Sequence, residues 1–275
     1  MIRMKRKIKL VAGHLLCIFL SALVLLPLYL VLINSLKTKA EAARMNLKLP
    51  STWMFSNYID VIKKAGLMRG FVNSMLYALV ATGVGVIISA MAAFVLSRNR
   101  TRNNRGLYFF FVIGLFFPVN YVTLVRVFQW LHLTNTRLGI ILVFISSMIP
   151  FCVFTIYSFV ESVPREIDEA AQIDGAKPLQ MFFRVDVPMM KPTLVTCFIL
   201  QFMGVWNDFL TPLYLSSKSK LFPMTMAVYQ FFGKNQSYWN YVFADIVLTL
   251  IPVVAVYFIG QRYLLEETTV GAVKG

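Results

Sequence analysis

Long apolar runs are the feature that most constrains how this chain can fold. A helix needs about 20 consecutive apolar residues to cross the hydrocarbon core of a bilayer, where its backbone groups must be satisfied internally. Six runs reach this length, at residues 10–33, 71–96, 107–130, 138–160, 194–215 and 241–263. The pattern predicts an all-α polytopic membrane protein with six transmembrane helices, forming a single transmembrane domain over residues 1–275.

The composition excludes a water-soluble fold. Hydrophobic residues make up 58% of the 275 residues and charged residues only 14%, whereas about 25% of a typical soluble domain is charged. The formal net charge is +15, but the basic residues lie between the apolar runs. We therefore expect these residues to face membrane lipid rather than nucleic acid.

Basic residues at two places predict the orientation of the helices. Residues 3–9 carry five Lys or Arg, and residues 98–105 carry four Arg. Because Lys and Arg beside a span favour the cytoplasmic side, we expect a multi-pass protein of a bacterial-type inner membrane with both termini in the cytoplasm. The first run is longer than the apolar region of a signal peptide and lacks a cleavage site after it, so we expect it to be retained.

The segment between the first two runs opposes this orientation. Residues 34–69 contain seven Lys or Arg, although the topology places them outside. We give priority to the charges nearest the first span, because these usually dominate. We also expect a short amphipathic helix at about residues 58–64 of this outer segment.

The polar segment at residues 161–193 predicts a helix, a turn and a second helix. Pro164 suits the first turn of the first helix, and Gly175 can take the positive φ that ends it. A second helix can begin near Pro178, before Pro188 and Pro192 close the segment. Three carboxylates would lie near the positive end of the first helix dipole, Glu166, Asp168 and Glu169.

This segment resembles the EAA loop of permease subunits in ATP-binding-cassette importers. The resemblance rests on Glu169-Ala170-Ala171, Asp174-Gly175-Ala176 and Val187-Pro188. Matches along nearly the whole chain resemble the maltose and multiple-sugar class of carbohydrate-uptake systems, and so many ordered matches are specific. They are Asn57-Tyr58, Asn73-Ser74, Leu133-Thr134-Asn135-Thr136 with Gly139, Pro150-Phe151, Trp206-Asn207-Asp208-Phe209 and Gly271-Ala272-Val273-Lys274-Gly275.

The resemblance implies that the chain is one subunit of a larger importer. In that family two permeases form the pathway, two ATPase subunits bind the cytoplasmic loops, and an extracytoplasmic solute-binding protein delivers the sugar or oligosaccharide. The second permease would be a different polypeptide, and the ATPase subunits would bind ATP and Mg, with no cofactor in this chain. The expected contacts with the ATPase are Ile167, Glu169, Ala170, Ala171, Asp174, Gly175 and Phe183. The alternative for this segment is a solvated connector between spans.

Motifs for catalysis and nucleotide binding are absent from the sequence. It contains no G-x-x-x-x-G-K-[ST], H-E-x-x-H or G-x-S-x-G string, so we expect neither ATP binding nor an enzyme active site in this chain. Cys17, Cys152 and Cys197 lie in apolar runs without metal-ligand spacing, and His14 is far from His132. We therefore expect no metal site.

Polar residues within the predicted spans are candidates for the transport pathway. Gln201, Asn207 and Asp208 lie in the fifth run, and Asp245 lies in the sixth. The alternative, favoured for Asp208, is hydrogen bonding between helices without solute contact. An ion-coupled secondary transporter that works through Asp208 or Asp245 is the alternative function, and inverted repeats with broken helices would mark it. The sequence shows no such repeat.

Overall fold

The computed structural model describes residues 2–99, 101–232 and 237–272, with side chains described between residues 10 and 262. Arg100 and residues 273–275 of the terminal match lie outside the described residues. The helical architecture predicted from the sequence is confirmed. The helices are α1 (Ile2–Ser35), α2 (Lys39–Ala42), α3 (Ser56–Lys64), α4 (Leu67–Arg98), α5 (Arg102–Ile113), α6 (Tyr121–Trp130), α7 (Arg137–Ser162), α8 (Glu166–Ile173), α9 (Pro178–Met181), α10 (Val187–Met189), α11 (Lys191–Asn207), α12 (Leu210–Leu215) and α13 (Trp239–Ala272).

Four helical segments in the described part of the chain are long and apolar enough to cross a membrane. They are Leu10–Ser35, Leu67–Arg98, Arg137–Ser162 and Trp239–Arg262. Two bent helix pairs also pass when each is taken as one unit, Arg102–Phe116 with Tyr121–Trp130 and Pro178–Met189 with Lys191–Asn207. By length and composition, the described residues therefore contain four helices able to cross a membrane, or up to six if each bent pair is one span.

The third apolar run forms two helices rather than one kinked helix. The arms Arg102–Phe116 and Tyr121–Trp130 are bent by 120°. Pro118 lies in the break, where it cannot donate a backbone hydrogen bond. The side chain of Asn120 then caps α6, because its Oδ1 accepts a hydrogen bond from the backbone N–H of Thr123 at 3.1 Å.

The fifth apolar run is also interrupted. α11 ends at Asn207, and α12 begins at Leu210 after Asp208 and Phe209. The arm Pro178–Met189 bends away from α11 by 77° and carries Arg184 and Asp186. We place this arm outside the span, because the two charged residues suit an aqueous boundary better than hydrocarbon.

Met1–Leu67 and Ala227–Ile251 form one compact unit, whose centre is held by polar side chains. Asn57 is 2% exposed, and its Nδ2 donates to the backbone carbonyls of Ser35 and Lys37 at 2.8 and 2.9 Å. Asn240 donates to Asn57 Oδ1 at 2.9 Å. The short helix predicted in the outer segment is present as α3, and Asn57 in its first turn joins it to the end of α1.

Met68–Met226 and Pro252–Gly275 form the second compact unit. In it α7 packs against α5 and α11, and α12 packs against α6 and α7. Close packing of the long helices depends on two glycines. A Cβ on Gly85 of α4 would overlap Met148 of α7, and a Cβ on Gly260 of α13 would overlap Ile199 of α11. A side chain at either glycine would force the side chain of Met148 or Ile199 to move.

The segment at residues 216–226 is hydrogen-bonded to the beginning of α4. Asn73 Nδ2 donates to the carbonyls of Lys220 and Phe222 at 2.8 and 3.0 Å, while its Oδ1 accepts from Arg137 at 3.2 Å. Tyr77 OH donates to the carbonyl of Leu221 at 2.9 Å. Neutral, matched donors and acceptors therefore attach this segment to α4.

Candidate functional site

The first helix of the segment at residues 161–193, α8, begins and ends where its sequence predicts. α8 carries three acidic side chains in its first turn, where the helix dipole stabilises negative charge. Its end is a Schellman motif: Gly175 N–H donates to the carbonyl of Gln172, and Ala176 N–H donates to the carbonyl of Ala171, both at 3.0 Å. Gly175 has φ +79°, in agreement with the expected helix end.

The second arm departs from regular α-helix. α9 begins at Pro178 and is followed by five residues of π-helix, Phe182–Asp186, before α10. Single turns of π-helix often occur at functional sites. The interior side of this arm is formed by Met181 and Phe182, which are 7% and 4% exposed, and the ring of Phe182 lies 5.6 Å from that of Phe94 on α4.

The opposite side of the segment presents apolar side chains to its surroundings. Ile173 is 86% exposed, Leu179 is 62% exposed and Phe183 is 52% exposed. These three residues, which we call the apolar tip, lie on both sides of the turn at Gly175. Large apolar side chains grouped at an exposed turn are typical of a surface that a partner covers.

The seven predicted ATPase contacts differ in their exposure. Five of them are exposed, namely Glu169, Ala170, Asp174, Gly175 and Phe183, whereas Ile167 and Ala171 are partly buried. Ile173 and Leu179 are exposed on the same segment but were not among the contacts predicted from the sequence. Ile173 lies outside the helical face shared by Ile167, Ala170 and Ala171, although its place just before Asp174-Gly175 could have indicated an exposed tip.

The end of α4 is hydrogen-bonded to the end of α7 and to the stretch of chain between α7 and α8. Ser97 Oγ donates to Glu161 at 2.6 Å, and Arg165 donates to the carbonyl of Ser97 at 3.2 Å. Arg98 Nη1 donates to the carbonyls of Val160 and Val163, both at 3.2 Å. These bonds fix the chain as it leaves α7, so that α8 projects from a defined base.

Buried charges reinforce this attachment. The Nε of Arg98 forms an ion pair with Asp168, and the two side chains are 13% and 9% exposed. Asp186 is 3% exposed. Burial, helped by the charge of the nearby Asp168 carboxylate and a hydrogen bond with it, raises the pKa of the Asp186 carboxyl from 3.8 to about 7, although Arg98 opposes the shift.

The pathway candidates do not form one cluster of free polar groups. Gln201 is partly buried in α11, and Asn207 is exposed, with its Nδ2 donating to the carbonyl of Met203 at 2.9 Å. Asp208 caps α12: its Oδ1 and Oδ2 accept from the N–H and hydroxyl of Thr211 at 3.0 and 2.8 Å. These local bonds favour the structural alternative for Asp208 over solute contact.

Among the described residues, no group of three or more His, Cys, Asp or Glu is placed to hold a metal ion. Cys152 and Cys197 are buried, and Cys17 is exposed. Asp245 of α13 is 1% exposed. Its carboxyl is therefore buried and cannot bind a metal ion at the surface.

Comparison with known proteins gives a consistent result. Residues 85–269 match the family described as binding-protein-dependent transport system inner membrane component. The diacetylchitobiose uptake system permease protein of Streptomyces coelicolor is 35% identical over 267 residues, which cover 94% of this chain and 87% of that protein. A probable starch degradation products transport system permease protein of Thermoanaerobacterium thermosulfurigenes is 31% identical over 259 residues, 94% of each chain.

The fold is similar to that of a solved importer. A chain in the crystal structure of a bacterial ABC transporter involved in import of the acidic polysaccharide alginate superposes with a TM-score of 0.81 at 24% identity. The superposition covers 94% of this chain and 96% of the other. At this level of identity the likeness shows the shared fold.

Proposed function

This chain belongs to the family of inner membrane components of binding-protein-dependent transport systems, and we propose that it is the permease subunit of an ATP-driven importer of sugars or oligosaccharides. With a second permease of different sequence it forms the pathway. Two ATPase subunits supply the energy, and an extracytoplasmic binding protein delivers the solute. The saccharide class follows from relatives that carry diacetylchitobiose and starch degradation products.

The apolar tip is the observation that carries this proposal. Ile173, Leu179 and Phe183 are more than half exposed, which is costly for a segment that stays in water and favourable for one that docks in a groove. The tip projects from a base that is held to α4 by Ser97 and Arg98. A projection anchored in this way passes the closure of ATPase subunits to a membrane helix, which is the physical requirement for coupling.

The exposed first helix supports assembly with a partner or with lipid. Only 6% of the apolar window of α1 is buried in this chain, whereas 44% of the windows in α4 and α7 is buried. An apolar helix with so little cover needs hydrocarbon or a second membrane subunit around it. We assign this role to lipid and to the second permease.

The proposed orientation places both termini and the 161–193 segment in the cytoplasm. In a variant without native cysteines, a cysteine replacing Ala176 should stay unlabelled by an impermeant thiol reagent in intact cells. A cysteine replacing the exposed Lys48 in the predicted outer segment should be labelled and serves as the control. Efficient labelling of the first variant under these conditions would reverse the topology.

Docking of the tip is tested with Ile173→Asp and Glu169→Lys. Each puts an unfavourable charge at the proposed ATPase contact, so co-purification of the ATPase subunits and sugar uptake by reconstituted vesicles should both fall by at least about tenfold. Asn103→Asp adds the same negative charge as Ile173→Asp at an exposed residue of α5, outside the segment, and should retain most of the ATPase binding and of the uptake. Normal ATPase retention in Ile173→Asp and Glu169→Lys would leave the segment as a solvated connector.

The energy source separates this function from an ion-coupled transporter. The purified chain alone should hydrolyse no ATP, because it lacks a phosphate-binding loop. The assembled complex should take up sugar only with ATP inside the vesicle and binding protein outside. Uptake by the isolated chain that follows a proton or sodium gradient without ATP would favour the alternative through Asp208 or Asp245.

A further inference from the structure

Two buried carboxyls face one arginine at the end of α4. Arg98 brings one positive charge, whereas Asp168 on α8 and Asp186 at the end of the π-helix bring two carboxyls into the same poorly hydrated site. Two carboxylates and one guanidinium leave a surplus negative charge when all are ionised. A structure that needed only a fixed anchor would be served by one carboxylate.

Hydrogen bonding in this cluster is also incomplete. Arg98 Nη2, Asp168 Oδ1 and Asp186 Oδ2 are buried and have no hydrogen-bond partner among the described residues. Each such atom forfeits the hydrogen bonds it would make with water. The three atoms provide the means for a second arrangement, in which the guanidinium turns from one carboxylate to the other.

The two carboxylates lie on different arms of the segment. Asp168 moves with α8, and Asp186 moves with the π-helical stretch that follows α9. Arg98 is the last residue of α4. An exchange of ion-pair partner would therefore be linked to a relative movement of the two arms against the end of this helix, and it has the two discrete states that coupling requires.

We propose that Arg98 is a positioning residue for energy coupling, and that Asp168 and Asp186 alternate as its ion-pair partner as the segment moves α4 during the transport cycle. This inference rests on the proposed function, because it assigns the mechanical connection within the importer. Arg98 contacts neither ATP nor sugar. It acts by setting the position of α4 relative to each arm.

The test compares neutral variants of the two carboxyls. Asp186→Asn leaves the Arg98–Asp168 pair intact and removes the surplus charge, and Asp168→Asn leaves Asp186 as the only partner. Glu166→Gln is the matched control, since Glu166 is exposed in the first turn of α8. The complete complex with binding protein is reconstituted, and three quantities are measured: ATPase subunits retained, ATP hydrolysed, and sugar taken up per ATP.

We expect both Asn variants to retain the ATPase subunits and to hydrolyse ATP, but to take up at least about fivefold less sugar per ATP than the control, which is the lower end of typical coupling energies. A fixed structural anchor predicts no change in this ratio for Asp186→Asn. An unchanged ratio in both variants, or a fall in only one, overturns the alternation.

Loss of both Asn variants from the membrane while Glu166→Gln is present also contradicts the proposal, because either carboxylate should hold the segment in place. Failure of the proposed function has a different signature. In that case the unmodified complex itself shows no sugar uptake that depends on ATP and binding protein, whatever the variants do.

Discussion

Residues 161–193 and residues 216–226 are attached to opposite ends of the same helix by different kinds of bond. At the beginning of α4, Asn73 and Tyr77 bind three carbonyls of the 216–226 segment through neutral hydrogen bonds. At its end, Arg98 holds the 161–193 segment through buried charges, and Arg98 Nη2, Asp168 Oδ1 and Asp186 Oδ2 have no hydrogen-bond partner in the described part of the chain.

The difference separates a fixed attachment from one that can change. Matched amide and hydroxyl bonds each contribute about 0.5–1.5 kcal/mol and have one best geometry. A buried cluster with more anions than cations has several arrangements of similar energy, selected by a proton or by movement of a partner. The neutral end suits a permanent connection, and the charged end suits the segment proposed to transmit force.

Replacement of Arg98 tests the charged attachment and is expected to have the largest effect on stability. Arg98→Leu leaves Asp168 and Asp186 buried without a cation, so the free energy of unfolding in detergent micelles should fall by about 3–5 kcal/mol. Arg102→Leu changes an exposed arginine at the start of α5 and should stay within about 0.5 kcal/mol of the unmodified protein. Equal free energies of unfolding for Arg98→Leu and Arg102→Leu would mean that the charged cluster does not stabilise the fold.

Removal of Asn73 tests the neutral end. Asn73→Leu leaves the carbonyls of Lys220 and Phe222 without their side-chain donor, and unfolding should become easier by about 1–3 kcal/mol. Sugar uptake per ATP should not change in the complexes that assemble. Asn103→Leu, at an exposed asparagine of α5, provides the control for stability. If Asn73→Leu took up less sugar per ATP, both attachments of α4 would contribute to coupling.

Substitutions of Gly175 test the turn within the 161–193 segment. A side chain there strains a residue at φ +79° by about 1 kcal/mol. Because no atom lies within 4 Å of an added Cβ, the cost of Gly175→Ala is confined to the backbone. Gly175→Asp adds bulk and charge beside the apolar tip, so it should lower binding-protein-stimulated ATP hydrolysis and uptake more than Gly175→Ala does.

Gly106→Ala is the control for the glycine series, since Gly106 lies in α5 with open space around it and without the positive φ. It should leave transport unchanged. If Gly175→Asp transports as well as Gly106→Ala, the turn has no part in docking.

The charged attachment is also tested by the pH dependence of stability. The charged groups that face Asp186 are Asp168 on α8 and Arg98 on α4. Burial and the Asp168 charge raise the pKa of Asp186 from 3.8 to about 7 in the folded protein, so the folded state binds the extra proton in that interval. By linkage, this contribution to stability is present at low pH and is lost as the pH rises from about 4 through about 7.

Asp186→Asn should therefore flatten the decline in unfolding free energy across this interval. The measurement is the unfolding midpoint in micelles at several pH values, with Glu166→Gln as a control that keeps the decline. An identical pH profile for Asp186→Asn and the unmodified protein would show that Asp186 does not titrate in this range.

Sequence reasoning was most successful where one residue type has one physical consequence. Apolar length predicted the helices, and the family match confirmed the resemblance to importer permeases. Gly175 and Pro178 predicted the end of α8 and the start of α9, because positive φ and a missing N–H leave few alternatives. The seven ATPase contacts stay a prediction, and the structure adds Ile173 and Leu179 to the surface on which they lie.

Sequence reasoning failed where a residue's role depends on a partner distant in the chain. Asp168 was interpreted only as a charge near the helix dipole, yet it pairs with Arg98, 70 residues earlier in the numbering. The hydrogen bonds of Asp208 to Thr211 agree with the structural alternative already favoured for Asp208, and its place in the pathway stays a prediction. Pro118 predicted a kink in the third span, but neither the size of that bend, 120°, nor the break at residues 208–209 was predicted, because apolar patterning does not distinguish one span from two bent helices.

The sequence by itself determined the class of protein, its helical content and the position of the polar helix-turn-helix, since hydrophobic length and backbone restrictions act locally. Only the tertiary structure decided which charges meet and which apolar side chains stay uncovered. An ion pair or an exposed tip depends on distances between remote segments, and no local pattern specifies them. At the end of α4, those distances brought two carboxyls to one arginine.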